Sequence, residues 1–404
     1  MSAPIIDSAP SRYVDLNSVS RVADDLFGHL PRADQRRWAE AYLRALLTTP
    51  GRKSIRRLAD AISNSPTTPQ SLQQFVNQSP WDWMPARHAL ARIAEPEVTP
   101  KAWVIGQAVI PKRGQHSVGV QRRYFPKAGR TINCQIGLGL FLTSKDTSVP
   151  IDWRLALDSA WCDDEERRQR VRIPDHVDAV PEWAHILDMV AHASSRWSLS
   201  PMPLVAELRG MRDISRLATG TAGFGLDFVF EIDGSQPVFA QNDKPASLRP
   251  MTAREVIRQS SARPYVSALS PHGPARRTVT MLAATVHLPA APHGRPGNGR
   301  PYRLLAEWSP SRRRPTRYWL TNVADRGADE VLPLLRLRAG VEDAMQDLSE
   351  EFGMLDFEGR SFPGWHHHMT LVSAAYAYSR VYTMPFPGSE PDAGHSALRV
   401  PVPA

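Results

Sequence analysis

Cysteine is nearly absent: the 404 residues hold only Cys134 and Cys162. That excludes a disulfide scaffold and a Cys-rich zinc site, and it suits a reducing cytoplasm. No apolar run approaches the ~18 residues that a membrane span needs. The first thirty residues carry Asp7, Asp15, Asp24 and Asp25 and lack an apolar core segment, so a secretory leader is not expected. Acid is also scarce in one long span. Between Arg249 and Arg317 thirteen Arg residues stand against only Glu255 and Glu307, with no Asp. The whole chain carries a net charge of +8 and a pI near 9.7. Free use of Arg in a GC-rich genome would give the same total. A run of cations with so little counter-charge repels itself, however, and that favours a phosphate-contacting surface. The expectation is a basic cytoplasmic, nucleoid-associated protein without membrane contact.

Taken in order, residues 1–15 read as a flexible N-terminus. Residues 16–97 carry apolar positions at helical spacing (Val22, Leu26, Leu30, then Trp38, Tyr42, Leu46) and form an all-helical unit that ends near Ala94, before Pro96. Within it, Arg52, Lys53, Arg56 and Arg57 open a short helix that a Pro-rich turn separates from another at Ser71–Gln78. This pair reads as a helix-turn-helix-like contact for duplex DNA or as a helical cap with solvated Arg residues. Strand-like runs follow at Ala102–Ile110, Ser117–Val120, Ile132–Thr143 and Val149–Leu157. A helix at Pro181–Trp197, a strand at Met202–Glu207, a helix at Met211–Thr219 and a strand at Leu226–Ile232 come next. The basic insertion spans 249–317, the segment 318–382 completes the domain begun at 98–248, and 383–404 reads as a disordered tail. Strand–helix alternation of this kind fits an RNase H-like α/β fold, among others.

From about Asp329 to Phe352, Leu334, Val341, Met345, Leu348 and Phe352 mark one amphipathic helix. Arg338, Glu342 and Ser349 lie on one side of it. Phe357-Glu358-Gly359-Arg360-Ser361-Phe362-Pro363-Gly364-Trp365-His366-His367-His368 follows. Together these resemble the C-terminal catalytic helix of bacterial insertion-sequence transposases of the DDE type, with a Tyr-x2-Arg-x3-Glu-x6-Lys signature and an FEGRSW-GWHHH tail. Arg338 and Glu342 match that signature, Leu335 stands for its Tyr and Ser349 for its Lys. The resemblance extends to Pro111–Val120 and to Pro150–Leu155. It implies an RNase H-like mixed sheet with flanking helices, an all-helical N-terminal unit and a β-rich basic insertion.

The resemblance also implies two divalent metals held between three carboxylates for in-line phosphoryl displacement. Hard cations demand oxygen ligands. The family places acids where this chain has Gly106 and Gln107, which offer no carboxylate. At the second position Glu207 replaces an Asp, beside Arg209. Only Glu342 is in place. No catalytic residue is assigned with these positions degenerate, no metal site is expected, and Mg²⁺ enters only if the chain is an enzyme after all. His366, His367 and His368 point about 100° apart on a helix and do not converge on one ion; they are read as packing against Trp365 and Phe362. Trp81 and Trp83 are read as core.

The reading is a catalytically degenerate, domesticated transposase-like protein that binds duplex DNA sequence-specifically, with a regulatory role. Its expected contacts are Arg52, Lys53, Arg56, Arg57, Lys112, Arg113, Arg312, Arg313, Arg314 and Arg317, and a homodimer is left open. One alternative is an active DDE-type transposase or nuclease that recruits Asp146, Asp152 or Asp158. Another is an interaction protein for RNA or a protein partner.

Overall fold

The computed structural model describes residues 15–125, 129–211, 214–241, 249–260, 265–269, 277–289, 301–309, 314–323 and 328–382. Arg312, Arg313, the segment 1–14 and the tail from 383 onward lie outside the described residues.

Five helices come first: α1 (Leu16–Phe27), α2 (Ala33–Thr48), α3 (Ile55–Ile62), α4 (Thr68–Asn77) and α5 (Met84–Val98). Local chemistry sets their starts. The Asp15 side chain accepts from the Asn17 N–H, the Ser54 side chain accepts from the Arg57 N–H, and Pro stands in the first turn of α4 and α5. Pro96 does not end α5, as its position in the sequence suggested. The helix runs on to Val98 and stops where Thr99 takes a left-handed conformation, φ 44°. So late in the helix, Pro removes one hydrogen bond without preventing the last turn.

The strands are β1 (Ala102–Pro111), β2 (Gln121–Phe125), β3 (Arg130–Thr143), β4 (Ser148–Leu155), β5 (Leu204–Glu207) and β6 (Phe228–Ile232). β3 pairs antiparallel with β1 and β4, β1 pairs parallel with β5, and β5 parallel with β6. The path β4-β3-β1-β5-β6 is the five-strand order of an RNase H-like fold. The sheet does not stop there. β12 (Arg314–Thr321) joins β6 antiparallel, and β11 (Tyr302–Ser309) and β10 (Arg277–His287) continue outward from it. β7 (Pro237–Ala240) and β9 (Tyr265–Leu269) both pair with β10, and β8 (Met251–Thr252) pairs with β7. The basic segment is thus an extension of the central sheet.

Ser117–Val120, read above as a strand, is a turn. Gly119 takes φ +71°, and the Val118 N–H donates to Arg360 O across 3.0 Å, which spends this segment on the tail of the chain instead of on a strand partner. The strand that pairs with β3 begins one residue later, at Gln121.

Between β4 and β12 stand α6 (Ser159–Cys162), α7 (Glu165–Val171), α8 (Glu182–Ala191), α9 (Ile214–Gly223) and α10 (Ala253–Gln259); His192–Arg196 continues α8 as a π-helical turn. α11 (Ala328–Glu350) crosses the sheet over β1 and β5, as its periodicity predicts. α12 (Phe362–Val381) is buried from Gly364 through Ser379 and packs on α2, α4, α5 and β4. A helix hydrophobic all round belongs inside a core. Here that core joins the N-terminal helices to the sheet.

The three histidines diverge from α12 to three partners. His366 Nδ1 accepts from Arg87 Nη2 (3.2 Å) and its ring stacks on Trp83 at 4.5 Å. His366 also packs edge-on against Phe362 and Trp365, as expected. His367 lies between Val76 O and Trp81 O, each 2.8 Å away, and stacks on Trp81 at 3.8 Å. His368 Nε2 donates to Gly353 O (3.0 Å), while Nδ1 faces Tyr42 Oη at 3.3 Å. Burial, reinforced by the Arg87 charge, holds His366 well below the usual imidazole range. Burial likewise lowers His367 and His368 to about 4, against the opposing pull of backbone hydrogen bonds.

Beside this trio, Arg87 and Asp152 form a buried ion pair, 2.9 Å from Nη1 to Oδ1, with side chains 1% and 0% exposed. Arg154 adds a second cation at 2.7 Å. Arg87 further donates to Thr370 Oγ1 (2.8 Å), Trp153 O (2.8 Å) and His366 O (3.1 Å).

Two outcomes follow for stability. Asp152→Ala leaves Arg87 buried without its anion and is expected to cost about 3–5 kcal/mol in urea unfolding, whereas Arg87→Met with Asp152→Leu recovers much of that loss. A cost below about 1 kcal/mol would show that the pair is dispensable. In the unfolded chain the histidines bind protons near pH 6.5; in the folded chain His367 and His368 do so only near pH 4, and His366 is lowered in the same direction. Stability is therefore complete above pH 6.5 and falls on acidification, by up to about 1.4 kcal/mol per pH unit for each histidine. Unfolding midpoints measured from pH 7.5 to 5 are expected to decline, and less steeply in His368→Gln.

Candidate functional site

Gly106 is buried in the middle of β1, paired with Gly139 of β3, and Gln107 beside it is exposed. The parallel register of β1 with β5 (Val104↔Val205) and of β5 with β6 (Glu207↔Glu231) brings Glu207 and Glu231 level on neighbouring strands. α11 passes over this point. A Cβ on Gly106 would stand 2.9 Å from Phe141 Cε2 and 2.9 Å from Val341 Cγ1, and Val341 immediately precedes Glu342. The sequence positions of the three acids therefore converge, and the space of the first is filled by hydrocarbon.

Arg338, one turn before Glu342 on α11, ties the remaining carboxylates together. Its Nη2 lies 2.5 Å from Glu207 Oε2 and also binds Glu342 Oε1; its Nη1 donates to Glu231 Oε2 across 2.7 Å. Arg317 reaches Glu231 from β12 in bidentate geometry, Nε to Oε1 at 3.0 Å and Nη2 to Oε2 at 2.6 Å. Arg209 pairs with Glu207 and stands 3.7 Å from Glu231 Oε1. Three carboxylates face three guanidiniums. Burial pushes the Glu231 carboxyl up, but the hydrogen bonds and charge of Arg317, then the charges of Arg338 and Arg209, outweigh it and hold Glu231 below its usual range.

The residue set does not suit the divalent ions that a three-carboxylate site of this fold takes. The first strand offers no oxygen side chain, and all three glutamates already have guanidinium partners. No cluster of three or more His, Cys, Asp or Glu with metal-holding geometry occurs among the described residues. Ser349, in the signature's Lys position, donates its hydroxyl back to Met345 O (2.7 Å) on its own helix, and Leu335 packs against the core. Of the alternative acids, Asp152 is committed to Arg87 and Arg154, Asp146 is exposed in the β3–β4 turn, and Asp158 precedes α6.

Glu231 escaped the sequence reading. Its signal was there: one acid inside Phe228-Val229-Phe230-Glu231-Ile232 must be buried, and a buried carboxylate needs a cation.

The expected DNA contacts separate into two sets. Arg56, Arg57, Arg113 and Arg314 are exposed. Arg52 is also exposed but pairs with Asp356 (3.8 Å) and Glu358 (3.2 Å). Lys53 is 4% exposed and its ammonium donates to Thr49 O, and Lys112 Nζ donates to Phe357 O (2.7 Å). Burial lowers both lysines to about 8. Arg317 is spent on Glu231.

A family model described as DDE superfamily endonuclease matches residues 25–289. No curated protein matches the chain. A solved cryo-EM structure of a piggyBac transposase synaptic complex with hairpin DNA is similar at a TM-score of 0.40 and 11% identity, over 94% of this chain and 68% of that one. No helix among the described residues is long and apolar enough to cross a membrane.

Because Gly106 is sterically closed, Gly106→Ala is expected to destabilise the protein by about 1–3 kcal/mol in denaturant unfolding. Adding Val341→Ala should offset part of that cost, giving a double variant less destabilised than the sum of the singles. Strict additivity would mean that Val341 does not occupy the vacated position.

Proposed function

This chain belongs to the DDE superfamily endonuclease family, and from that premise we propose that it binds duplex DNA without cutting it. The observation that carries the reading is Arg338, whose guanidinium occupies the space between Glu207, Glu231 and Glu342. A cation of fixed protein origin neutralises the carboxylates that two metals would have to bridge. The scaffold around this point is intact, with the strand order and the late helix of an RNase H-like domain. Retained scaffold with a closed centre is what selection for binding alone would leave, and a domesticated, regulatory role follows from it.

Exposed Arg56 and Arg57 on α3, with Gln70, Gln73 and Gln74 exposed on α4, supply phosphate-seeking and base-reading groups on adjoining helices. This pairing supports sequence-specific binding by the N-terminal helices.

Glu231 supports one competing reading. It is a third carboxylate beside Glu207 and Glu342, and a nuclease that displaced Arg338 would have three acids available.

Duplexes carrying candidate terminal repeats separate the two readings. With Mg²⁺ or Mn²⁺ the purified protein is expected neither to nick nor to join them, and to bind them with an affinity that falls steeply with salt. Arg56→Gln, Arg57→Gln and Arg113→Gln together should flatten the plot of log K against log salt by about 0.9 for each phosphate contact removed. Cleavage that vanishes in Glu342→Ala would replace this reading with the metal-dependent one.

A further inference from the structure

A cavity of about 700 Å³ opens beside Glu231, between α10, the β5–α9 connection and the strands β11 and β12. Arg209, Arg254, Arg258, Arg314 and Arg317 line it against two acids, Glu231 and Asp233, with Trp308 on one wall. Two of these cations are already engaged, Arg317 with Glu231 and Arg209 with Glu207. Arg254 and Arg258 are four apart on α10 and share one face of it, and Arg314 approaches from β12. Arg254, Arg258 and Arg314 make no ion pair among the described residues, although the Arg258 charge acts on Glu255 of its own helix and Asp233 shares the cavity.

We propose that this cavity binds a nucleoside di- or triphosphate, its phosphates on Arg254, Arg258 and Arg314 and its base against Trp308. With Glu231 already bound by Arg317, Asp233 alone faces the three remaining guanidiniums, so the cavity keeps an excess of positive charge that an anion neutralises, and guanidinium forks match phosphate oxygens in pairs. The volume falls within the ~300–1,000 Å³ range of small-molecule sites and is too small for a duplex. A polyphosphate concentrates several negative charges on adjacent groups, whereas a phosphodiester strand offers one per nucleotide and would leave part of the cluster unmatched. An indole ring at the wall is a stacking surface for any base, so the site selects for phosphate number more than for base identity.

The test uses the full chain at constant ionic strength. ATP, GTP, inorganic tripolyphosphate and a 5′-phosphorylated single-stranded oligonucleotide are titrated by calorimetry, with tryptophan fluorescence as a second signal. The nucleotides are expected to bind with a Kd of about 100 µM or tighter. Tripolyphosphate should bind about 5- to 150-fold more weakly, the range that loss of one base–aromatic stack gives. Arg254→Gln with Arg258→Gln should weaken nucleotide binding at least about tenfold. The charge-matched pair Arg92→Gln with Arg130→Gln, outside the cavity, should not change it. Circular dichroism on both variants separates lost binding from lost folding. If the cavity pair fails to fold, Arg314→Gln with its solvent-exposed side chain takes its place.

The proposal fails if neither nucleotide saturates by about 1 mM, or if the two charge-matched pairs weaken binding equally. It also fails if the oligonucleotide binds and nucleotides cannot displace it, which would assign the cavity to an unpaired DNA strand.

Discussion

A guanidinium cannot be taken out of water alone, and the architecture of this chain follows from where it meets that demand for Arg87. The Arg87 side chain is 1% exposed and burial lowers its pKa to about 10, with the Asp152 charge acting against that shift. Its donors end on β4 at Asp152 and Trp153 and on α12 at His366 and Thr370, while the residue itself belongs to α5. One cation therefore fixes three elements drawn from the beginning, middle and end of the sequence. Because its donors are directional, α12 can occupy only one rotation about its axis. That rotation sends His367 to Val76 and Trp81 and His368 to Tyr42 and Gly353. The tail of the chain acts as the core of the N-terminal helices for this reason.

Arg338 repeats the device over β5 and β6, in the interior of the sheet, with a different result. Around Arg87 the fully buried Asp152 serves two arginines, the second of which, Arg154, reaches on to the half-exposed Asp188. Around Arg338 three carboxylates and three arginines share a half-open environment, and Glu342 is 62% exposed on its side chain. The first arrangement is architectural. The second occupies the place where an RNase H-like domain gathers its acids, and it does so with residues from β5, β6, α11 and the sheet extension. Val341 against Gly106 completes the closure, so removal of one arginine would not by itself recreate a first-strand ligand. The charge balance also explains why Glu231 tolerates burial at 3% exposure, with three guanidiniums nearby.

Much of this was legible in the sequence. β-rich runs bounded by Gly, Pro and basic turns located β1, β3 and β4, which are buried over most of their length, and helical spacing located α11. The gathering of Gly106, Glu207 and Glu342 was legible through family resemblance. Three things were not. The Ser117–Val120 run is apolar enough for a strand, yet Gly119 at positive φ turns it so that Val118 meets Arg360, a partner far along the chain. The buried role of Lys53 and Lys112 depends on Thr49 and Phe357 carbonyls that no local pattern announces. Glu231 sits in an apolar strand whose neighbours became known only when the sheet order was. In each case the deciding contact is long-range or uses the backbone, so residue type does not name the partner even where, as at Glu231, an acid in an apolar strand signals that one is needed.

The sheet extension links the carboxylate cluster to the cavity. Arg317 lies on β12, in the basic segment, yet its guanidinium is the bidentate partner of Glu231 in the closed centre. Arg209 likewise lines the cavity while binding Glu207. An anion entering that cavity therefore meets two arginines already shared with carboxylates, and it competes with Glu231 and Glu207 for them. Any weakening of the Arg317–Glu231 pair leaves a buried carboxylate with less compensation, which raises its pKa and loosens the β6–β12 contact. The cavity and the carboxylate cluster are thus coupled through the same side chains. Glu207 and Glu231 in turn hold Arg209 and Arg317 in place at the edge of the cavity.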